Sequence, residues 1–377
     1  MAGIYIHIPF CKQSCHYCDF YFSTSLKNKN LFLDALKKEI YMRKDYLITK
    51  NIDTIYFGGG TPSLLSREDI LCIFAELEKY FSISSDAEIT LEANPDDLSR
   101  KKLREFYSTF INRLSIGIQS FSDEDLKFLN RVHNSYEALT SVKQAQDIGF
   151  SNITIDLIYG IQTLSDEQWK KNLDVAFSLG VPHISCYCLT LEPKTALHSF
   201  IKRGLAKAID EQKGARQFDI LMNEMKNNNF TQYEISNFCK DGFYSRHNSS
   251  YWKGEKYLGL GPSAHSYNGD SRQWNINNNS IYIRSMNEEK ICFEKEILSD
   301  EKKYNEYVMT SLRTMWGLDL NYLKENFSVS FYDYFMKESI RLLEEESIKI
   351  DGSQIVLTQK GKLLADNIIS KLFFVVI

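Results

Sequence analysis

Residues 4–19 read IYIHIPFCKQSCHYCD, a β-branched run that leads directly into three closely spaced cysteines. The alternating Ile side chains predict a buried strand over Ile4–Ile8. Cys11, Cys15 and Cys18 follow as C-x3-C-x2-C, which places three thiols on one loop at the carboxyl end of that strand. Open α/β sheets and barrels build their ligand sites at this end of their strands. The stretch therefore predicts an α/β fold with a site on its first loop.

Five further β-branched or aromatic runs follow and alternate with helical stretches up to about residue 205. The predicted strands are Thr54–Phe57, Glu88–Glu92, Arg113–Ile118, Asn152–Leu157 and His183–Leu189. Six strand-then-helix units in succession indicate a parallel α/β architecture. The pattern alone fits an open sheet and an incomplete barrel equally well.

The second half of the chain has a different pattern. Residues 233–275 are rich in Tyr, Asn, Gly and Trp, which predicts loops and short strands. A small helical unit follows, with predicted helices over Asp300–Trp316, Leu320–Glu325 and Phe331–Glu346. Two short extended runs, one on each side of a turn at Asp351-Gly352, then complete a unit that resembles a winged helix.

The predicted domains are residues 1–235, residues 236–290 as a connecting segment, and residues 291–377.

Composition and charge exclude several classes of protein. The chain has 377 residues, and its 45 Lys and Arg against 49 Asp and Glu give a formal net charge of −4. Such a balance gives no general attraction to nucleic acid or to an anionic membrane. No apolar run approaches the roughly 20 residues of a membrane helix, and no export signal is visible. The eight cysteines are too sparse for a disulfide scaffold. We therefore expect a cytoplasmic protein without its own membrane anchor.

The winged-helix-like tail raises one alternative, a DNA-binding regulator. Residues 299–377 contain 10 Lys and Arg against 12 Asp and Glu. A DNA-binding module normally presents a basic stripe. The tail has none, so nucleic acid is not an expected partner.

The three clustered cysteines favour an iron–sulfur site. Cys11, Cys15 and Cys18 could each hold one iron of a [4Fe-4S] cluster, which leaves the fourth iron open to a small molecule. The alternative is a zinc site in which His7 or His16 completes a set of three cysteines and one histidine.

Other polar or glycine-rich positions fall at the same end of the predicted strands. The segment Gly58–Pro62, GGGTP, follows the second strand, where glycines allow a close backbone approach to a ligand. Glu92, Gln119, Asp156 and Thr190 lie at or near the ends of the next four strands. Because parallel strands end at one edge, these residues and the cysteine loop predict one shared site.

Taken together, these motifs resemble the radical S-adenosylmethionine (radical SAM) superfamily. The motifs are YIHIPFC with C-x3-C-x2-C, GGGTP, LSIGIQSF and the following Asn130-Arg131-x-His133. More narrowly, the chain resembles the HemN/HemW branch over residues 1–235, and its tail resembles that branch's small C-terminal domain. The resemblance implies a partial (β/α)6 barrel with a [4Fe-4S] cluster and S-adenosylmethionine, whose sulfonium bond the reduced cluster can cleave.

The resemblance also implies which residues contact S-adenosylmethionine. The positions that match contacts near the cluster, the adenine, the backbone or the amino group are Tyr5, Tyr17, Gly59, Gly60, Thr61 and Glu92. The positions that match a second S-adenosylmethionine are Gln119, Arg131 and Asp156. Thr190 and His265 also align with cofactor-contacting positions.

Two motifs distinguish the members of this branch. The oxygen-independent coproporphyrinogen III oxidases extend the cysteine motif to C-x3-C-x2-C-x-C, but here the fourth position is Phe20, which cannot ligate or donate hydrogen. The heme chaperones carry H-N-x-x-Y-W, present here as residues 247–252. The resemblance implies heme contact at His247, whose imidazole is a good axial ligand.

The favoured hypothesis is therefore a chaperone that binds heme and delivers it to respiratory hemoproteins. The alternative is a radical enzyme that acts on a porphyrin, such as the oxidase. The sequence leaves monomer and homodimer open.

Overall fold

A twelve-stranded mixed sheet frames the larger part of this computed structural model, which describes residues 2–375. The strands of the described chain are β1 Ala2–Ile8, β2 Asn51–Gly59, β3 Ser82–Ala93, β4 Arg113–Gln119, β5 Asn152–Tyr159, β6 His183–Cys188, β7 Thr231–Gln232, β8 Asn237–Cys239, β9 Lys256–Leu260, β10 His265–Tyr267, β11 Ser271–Asn275, β12 Phe293–Ile297, β13 Leu318–Asp319, β14 Ile348–Asp351 and β15 Gln354–Leu357. The α-helices are α1 Lys29–Met42, α2 Arg67–Glu78, α3 Arg100–Tyr107, α4 Asp123–Phe128, α5 Ser135–Ile148, α6 Asp166–Ser178, α7 Ala196–Lys202, α8 Glu211–Asn227, α9 Arg246–Trp252, α10 Asn279–Asn287, α11 Asp300–Leu312, α12 Leu320–Asn326, α13 Val329–Glu344, α14 Gln359–Leu363 and α15 Ala365–Lys371.

The six strands predicted from the first half of the chain form the parallel centre of the sheet. The strands β1 to β6 pair in chain order, and β9 adds a parallel strand on the other side of β1. Antiparallel strands extend both edges, so that the sheet begins at β12 and ends at β7. These two edge strands do not pair within residues 2–375, so the sheet stays open. The parallel α/β prediction is confirmed, and the open sheet agrees with an incomplete barrel.

Continuous apolar runs explain why these strands lie at the centre. Ile4, Ile6 and Ile8 of β1 are completely buried, and every residue of β4 is buried. Strands covered on both faces have this composition because neither side meets water. The helices between them begin at local caps. Ser66, for example, starts α2 with a reciprocal capping box, an arrangement that stabilises an N-terminus.

The C-terminal unit has its own core. Helices α11 to α15 pack around a three-stranded sheet in the order β13-β15-β14. The first three of these helices and the hairpin β14–β15 agree with the winged-helix-like pattern, whereas β13, α14 and α15 were not predicted. The incomplete barrel formed by the strands β1 to β12 and the helices between them is called the barrel below. The C-terminal unit contacts it through a hydrogen bond of 2.9 Å from the Met315 amide to the Tyr233 carbonyl oxygen. Nearby, the Lys253 ammonium lies 4.5 Å from the centre of the Trp316 ring. The predicted domain boundaries stay predictions.

The structure differs from the sequence-based prediction between residues 233 and 275. This segment was expected to hold only loops and short strands, but it also contains the helix α9, Arg246–Trp252. The helix begins because the Ser245 side chain accepts a hydrogen bond from the Asn248 amide. With seven residues, α9 is too short to show helical periodicity in its sequence.

Strand β6 ends at Cys188, so Thr190 lies in an exposed loop beyond the strand that it was expected to close. Within residues 2–375, the structure contains no helix with the length and apolar character of a membrane span.

Candidate functional site

The cysteine loop leaves β1 and returns to its own starting point. Phe10 and Ser23 form an isolated β-bridge across its base. The Cys11 amide donates to the Ser23 carbonyl oxygen at 3.0 Å, and the Ser23 amide donates to the Pro9 carbonyl oxygen at 2.9 Å. The loop is therefore closed by backbone hydrogen bonds alone.

The three cysteines on this loop are partly buried thiols. Burial raises the pKa of Cys11 to about 11 and the pKa of Cys18 to about 12. Iron binding would therefore displace protons from both. Within residues 2–375, no three His, Cys, Asp or Glu side chains converge on a single ion position. A [4Fe-4S] cluster takes each thiolate on a different iron.

The two histidines that could complete a zinc site already have partners. His16 places its Nδ1 2.9 Å from the Phe128 carbonyl oxygen. His7 places its Nε2 2.9 Å from the Tyr21 carbonyl oxygen and its Nδ1 3.3 Å from the Tyr5 hydroxyl. His7 thus has both ring nitrogens in use, whereas His16 keeps its Nε2 available, so this observation disfavours only His7 as a zinc ligand.

A buried guanidinium stands beside the loop. Arg131 donates to the Cys15 sulfur at 3.4 Å, to Asn94 Oδ1 at 2.6 Å and to the Gly117 carbonyl oxygen at 2.8 Å. Its Nε is buried and has no hydrogen-bond partner among the described residues. An unsatisfied buried donor is costly, so this N–H marks a place where an acceptor fits. The site thus suits a cluster with an anionic group beside it.

The glycine segment at the end of β2 packs against the base of the cysteine loop. A Cβ atom on Gly60 would lie 2.6 Å from the Phe10 carbonyl oxygen and 2.7 Å from the Ile8 carbonyl oxygen. Gly59 has a φ of +103°, which favours glycine, and a Cβ there would overlap the His7 ring. The Thr61 amide donates to the Phe10 carbonyl oxygen at 2.7 Å. Close packing at both positions, together with the positive φ of Gly59, therefore accounts for the two glycines without any ligand.

Two partly buried carboxyls lie in the second half of their strands, Glu92 next to the end of β3 and Asp156 within β5. Glu92 accepts hydrogen bonds from the Tyr56 hydroxyl at 2.8 Å and from the Gly59 amide at 3.1 Å. Asp156 accepts from the Ser115 hydroxyl at 3.3 Å. Burial is the largest effect on both groups, and it raises the pKa of Glu92 to about 7 and that of Asp156 to about 6.

The other residues that the resemblance implies as S-adenosylmethionine contacts differ in burial. Gln119 is buried at the end of β4 with a φ of +66°, a left-handed conformation that costs about 1 kcal/mol for a residue other than glycine. Tyr17 is partly buried against the core between two of the cysteines. Its pKa is raised by burial, and Arg131 opposes that rise. Thr190 is exposed and stands apart from the hydrogen bonds of this site.

The histidine of the H-N-x-x-Y-W motif is buried beneath the first two strands. His247 is only 1% exposed, and its ring stacks on Tyr56 with 5.0 Å between ring centres. Its Nδ1 lies 2.8 Å from Thr54 Oγ1, and its Nε2 lies 2.8 Å from the Tyr251 hydroxyl. Burial also lowers its pKa to about 3. Both ring nitrogens of His247 are therefore in use, and the side chain presents neither to a ligand.

A large cavity lies between the barrel and the C-terminal unit, and sequence reasoning did not anticipate it. Its volume is about 1110 Å³, and it reaches from Tyr5 and Phe20 to residues of α11 and α12. Its wall is rich in aromatic side chains, including Tyr251, Trp252, Tyr257, Tyr267, Tyr307 and Trp316. Two sequence signals pointed to this region, namely the abundance of Tyr and Trp in residues 233–275 and the H-N-x-x-Y-W motif, which contains Tyr251 and Trp252. Neither indicated which other rings would meet them.

Charged groups and one more histidine complete this wall. His265, Arg272 and Lys303 line the cavity. Arg272 lies 2.9 Å from the Glu306 carboxylate, and Lys303 lies 2.9 Å from Asp270. The cavity therefore combines flat apolar surfaces with cations, which suits a planar ligand that carries carboxylates.

Comparison with known proteins places the chain in a family. The family model of the radical SAM superfamily matches residues 5–176, and that of the HemN C-terminal domain matches residues 298–364. The heme chaperone HemW of Bacillus subtilis is 35% identical over 372 residues, which covers 98% of both chains. The heme chaperone HemW of Lactococcus lactis is 32% identical over 97% of this chain and 96% of its own.

A solved structure gives the same result for the fold. Coproporphyrinogen III oxidase (HemN) from Escherichia coli superposes with a TM-score of 0.85 over 99% of this chain and 90% of its own, at 23% identity. At this identity the likeness supports the fold and not the activity. The relatives that match along nearly their whole length settle the family, and the chain belongs to the HemW family within the radical SAM superfamily.

Proposed function

We propose that this chain is a heme chaperone, which binds heme as cargo and passes it to respiratory hemoproteins. The observation that carries the proposal is the aromatic cavity of about 1110 Å³, which opens beside the cysteine loop. Ligand pockets for small molecules commonly measure about 300–1,000 Å³, so the space is ample for a macrocycle. Relatives called heme chaperones along nearly the whole chain support the same function.

The chemistry of the cavity wall fits heme. The rings of Tyr257, Tyr267 and Tyr307 offer flat surfaces for the apolar macrocycle. Arg272 and Lys303 offer cations for the two propionates, since guanidinium and ammonium groups bind carboxylates with charge-assisted hydrogen bonds. Both cations already neighbour carboxylates of the protein, so heme would exchange one carboxylate partner for another.

The cysteine loop holds a [4Fe-4S] cluster in this proposal, through Cys11, Cys15 and Cys18. Tyr5, Tyr17, Gly59, Gly60, Thr61 and Glu92 are proposed to hold S-adenosylmethionine, and Gln119, Arg131 and Asp156 to hold a second molecule. The unpartnered Nε of Arg131 beside Cys15 supports an acceptor there. When bound, the reduced cluster supplies an electron that cleaves the sulfonium bond of S-adenosylmethionine. The cytoplasmic location and the oligomeric state stay predictions.

His247 is proposed to support the heme site indirectly. Its Nε2 lies 2.8 Å from the hydroxyl of Tyr251, whose ring lines the cavity. The two rings also meet edge to face, with 4.9 Å between their centres. His247 would thus fix the orientation of a cavity wall.

The coproporphyrinogen oxidase alternative loses support at Phe20. The phenyl ring stands at the position of the fourth cysteine and is 65% exposed at the edge of the cavity. A ring in this place supplies neither an iron ligand nor a hydrogen donor.

An anaerobic heme titration of cluster-reconstituted protein, followed by Soret absorbance, tests the proposal. We expect saturable binding near one heme per chain, weakened by Arg272→Ala because a propionate loses its cation. Arg67→Ala is the matched control, since Arg67 lies on α2 and does not line the cavity. Absence of saturable binding, together with vinyl-bearing product from coproporphyrinogen III, would replace the chaperone with the oxidase.

A further inference from the structure

One imidazole in the cavity keeps both ring nitrogens free. His265 begins β10, and its ring is exposed at the cavity wall. The ring stacks on Trp274 with 6.0 Å between ring centres and 26° between ring planes. Neither nitrogen has a hydrogen-bond partner among residues 2–375, whereas Arg272 and Lys303 of the same wall are paired with carboxylates.

The other histidines do not offer the same combination. His7 also lines the cavity, but it is 3% exposed and both of its nitrogens have partners. His247 is buried with both nitrogens in use. His198, on α7, lies outside the cavity.

The surroundings of His265 keep its ring in the form that binds iron. Partial burial, and then the positive charge of Arg272, lower its pKa below the ordinary value. A neutral imidazole has a lone pair available at neutral pH, which an iron ligand requires. Stacking on Trp274 limits rotation of the ring at the cavity wall.

We propose that His265, and not His247, is the axial ligand of the heme iron. The inference rests on the proposed heme function and assigns the residue that sets heme coordination. The neutral ring donates a nitrogen lone pair to an axial position of the iron and displaces at most a bound water. No electron or proton is transferred in this step.

The test is the spectrum of heme-loaded protein, which reports iron coordination independently of any transfer activity. We expect wild-type protein to show imidazole-ligated heme by Soret position and by electron paramagnetic resonance. His265→Ala should lose that signature and bind heme about ten- to hundredfold more weakly. Millimolar free imidazole should restore the signature. His198→Ala is the matched control and should behave like the wild type.

The outcomes separate this inference from the proposed function. If His265→Ala keeps the imidazole signature while His247→Ala loses it, the ligand assignment is wrong and the heme function stands. If wild-type protein binds no heme saturably, the proposed function itself fails. The absorbance of the reconstituted cluster checks that His265→Ala retains the fold, because the cysteine loop does not include this residue.

Discussion

The two sides of the cavity are built on opposite principles. On the barrel side, the carboxyls, glycines and histidines at the strand ends are partnered by the protein itself, as Glu92 is by Tyr56 and Gly59. On the side nearer the C-terminal unit, aromatic rings face open space, Arg272 and Lys303 pair with protein carboxylates, and His265 of β10 has no hydrogen-bond partner on its ring among the described residues. The first side is preorganised for a resident cofactor, which places few demands on motion. The second side leaves its groups available for a ligand that must also leave.

The largest expected effect is on the barrel side, at the cysteine loop. Cys15→Ala should abolish the visible charge-transfer absorbance and the iron content of anaerobically reconstituted protein, because a cluster iron loses its thiolate. The free energy of unfolding of the cluster-free protein should change by no more than about 1 kcal/mol, since the loop is closed by its backbone. Cys72→Ala, at an exposed free thiol on α2, is the control and should keep the full cluster. An intact cluster in Cys15→Ala would refute the ligand assignment.

Gly60→Ala should come next, because it disturbs the packing that positions the site. The added Cβ would press on the carbonyl oxygens of Ile8 and Phe10, and such overpacking costs about 3 kcal/mol. Chemical denaturation measures the loss. Gly180→Ala is the control, because a Cβ there meets no atom within 4 Å and only its positive φ is unfavourable. A loss in Gly60→Ala no larger than that in Gly180→Ala would contradict the close packing at Gly60.

His247→Ala sharpens the comparison between the two sides. It removes a buried ring and two hydrogen-bonded contacts, to Thr54 and Tyr251, so we expect a loss of stability of about 3 kcal/mol. Heme binding should weaken because Tyr251 loses its support, yet the coordination signature of the bound heme should remain. His247→Gln, which keeps polar groups, should recover part of the stability. A changed coordination signature would contradict the indirect role.

The pH dependence of stability tests the partly buried carboxyl of Glu92 on the barrel side. The pKa of Glu92 is about 7 in the folded protein against 4.5 as the ordinary value. The folded state therefore holds its proton longer, and stability should fall as pH rises from 4.5 to 7, by about 2 kcal/mol in the cluster-free protein. Glu92→Gln should flatten this slope. Glu78→Gln, on the exposed face of α2, should leave the slope unchanged, and an unchanged slope in Glu92→Gln would contradict the assignment.

The smallest expected effect belongs to Phe20, at the border of the two sides. Its ring is 65% exposed, so Phe20→Ala should change the free energy of unfolding by less than about 0.5 kcal/mol. Heme affinity should fall about fivefold, because bound heme would lose an apolar contact of about 1 kcal/mol. Phe20→Leu should restore most of the affinity in the same titration. Unchanged heme affinity in Phe20→Ala would place the ligand elsewhere in the cavity.

The barrel side was predictable from the sequence, and the opposite side was not, for a physical reason. Buried parallel strands have continuous apolar runs, so Ile4–Ile8 and Arg113–Ile118 were recognisable, and strand ends then brought Glu92 and Asp156 to one edge. The cavity, in contrast, is lined by residues of β10 and α11, two elements that are distant from each other along the chain. Likewise, nothing local to His247 indicates that Thr54, 193 positions away, occupies one of its nitrogens.

The bridge between Phe10 and Ser23 has a consequence for how the protein acquires and loses iron. Because hydrogen bonds among Pro9, Cys11 and Ser23 already join the two ends of the cysteine loop, the entropy of closing it is lost when the chain folds. A cluster therefore binds to a cysteine loop whose backbone is already closed, and binding does not have to order the loop. Loss of the cluster to oxygen would leave the closed loop in place, so the same folded molecule should accept a replacement cluster without unfolding.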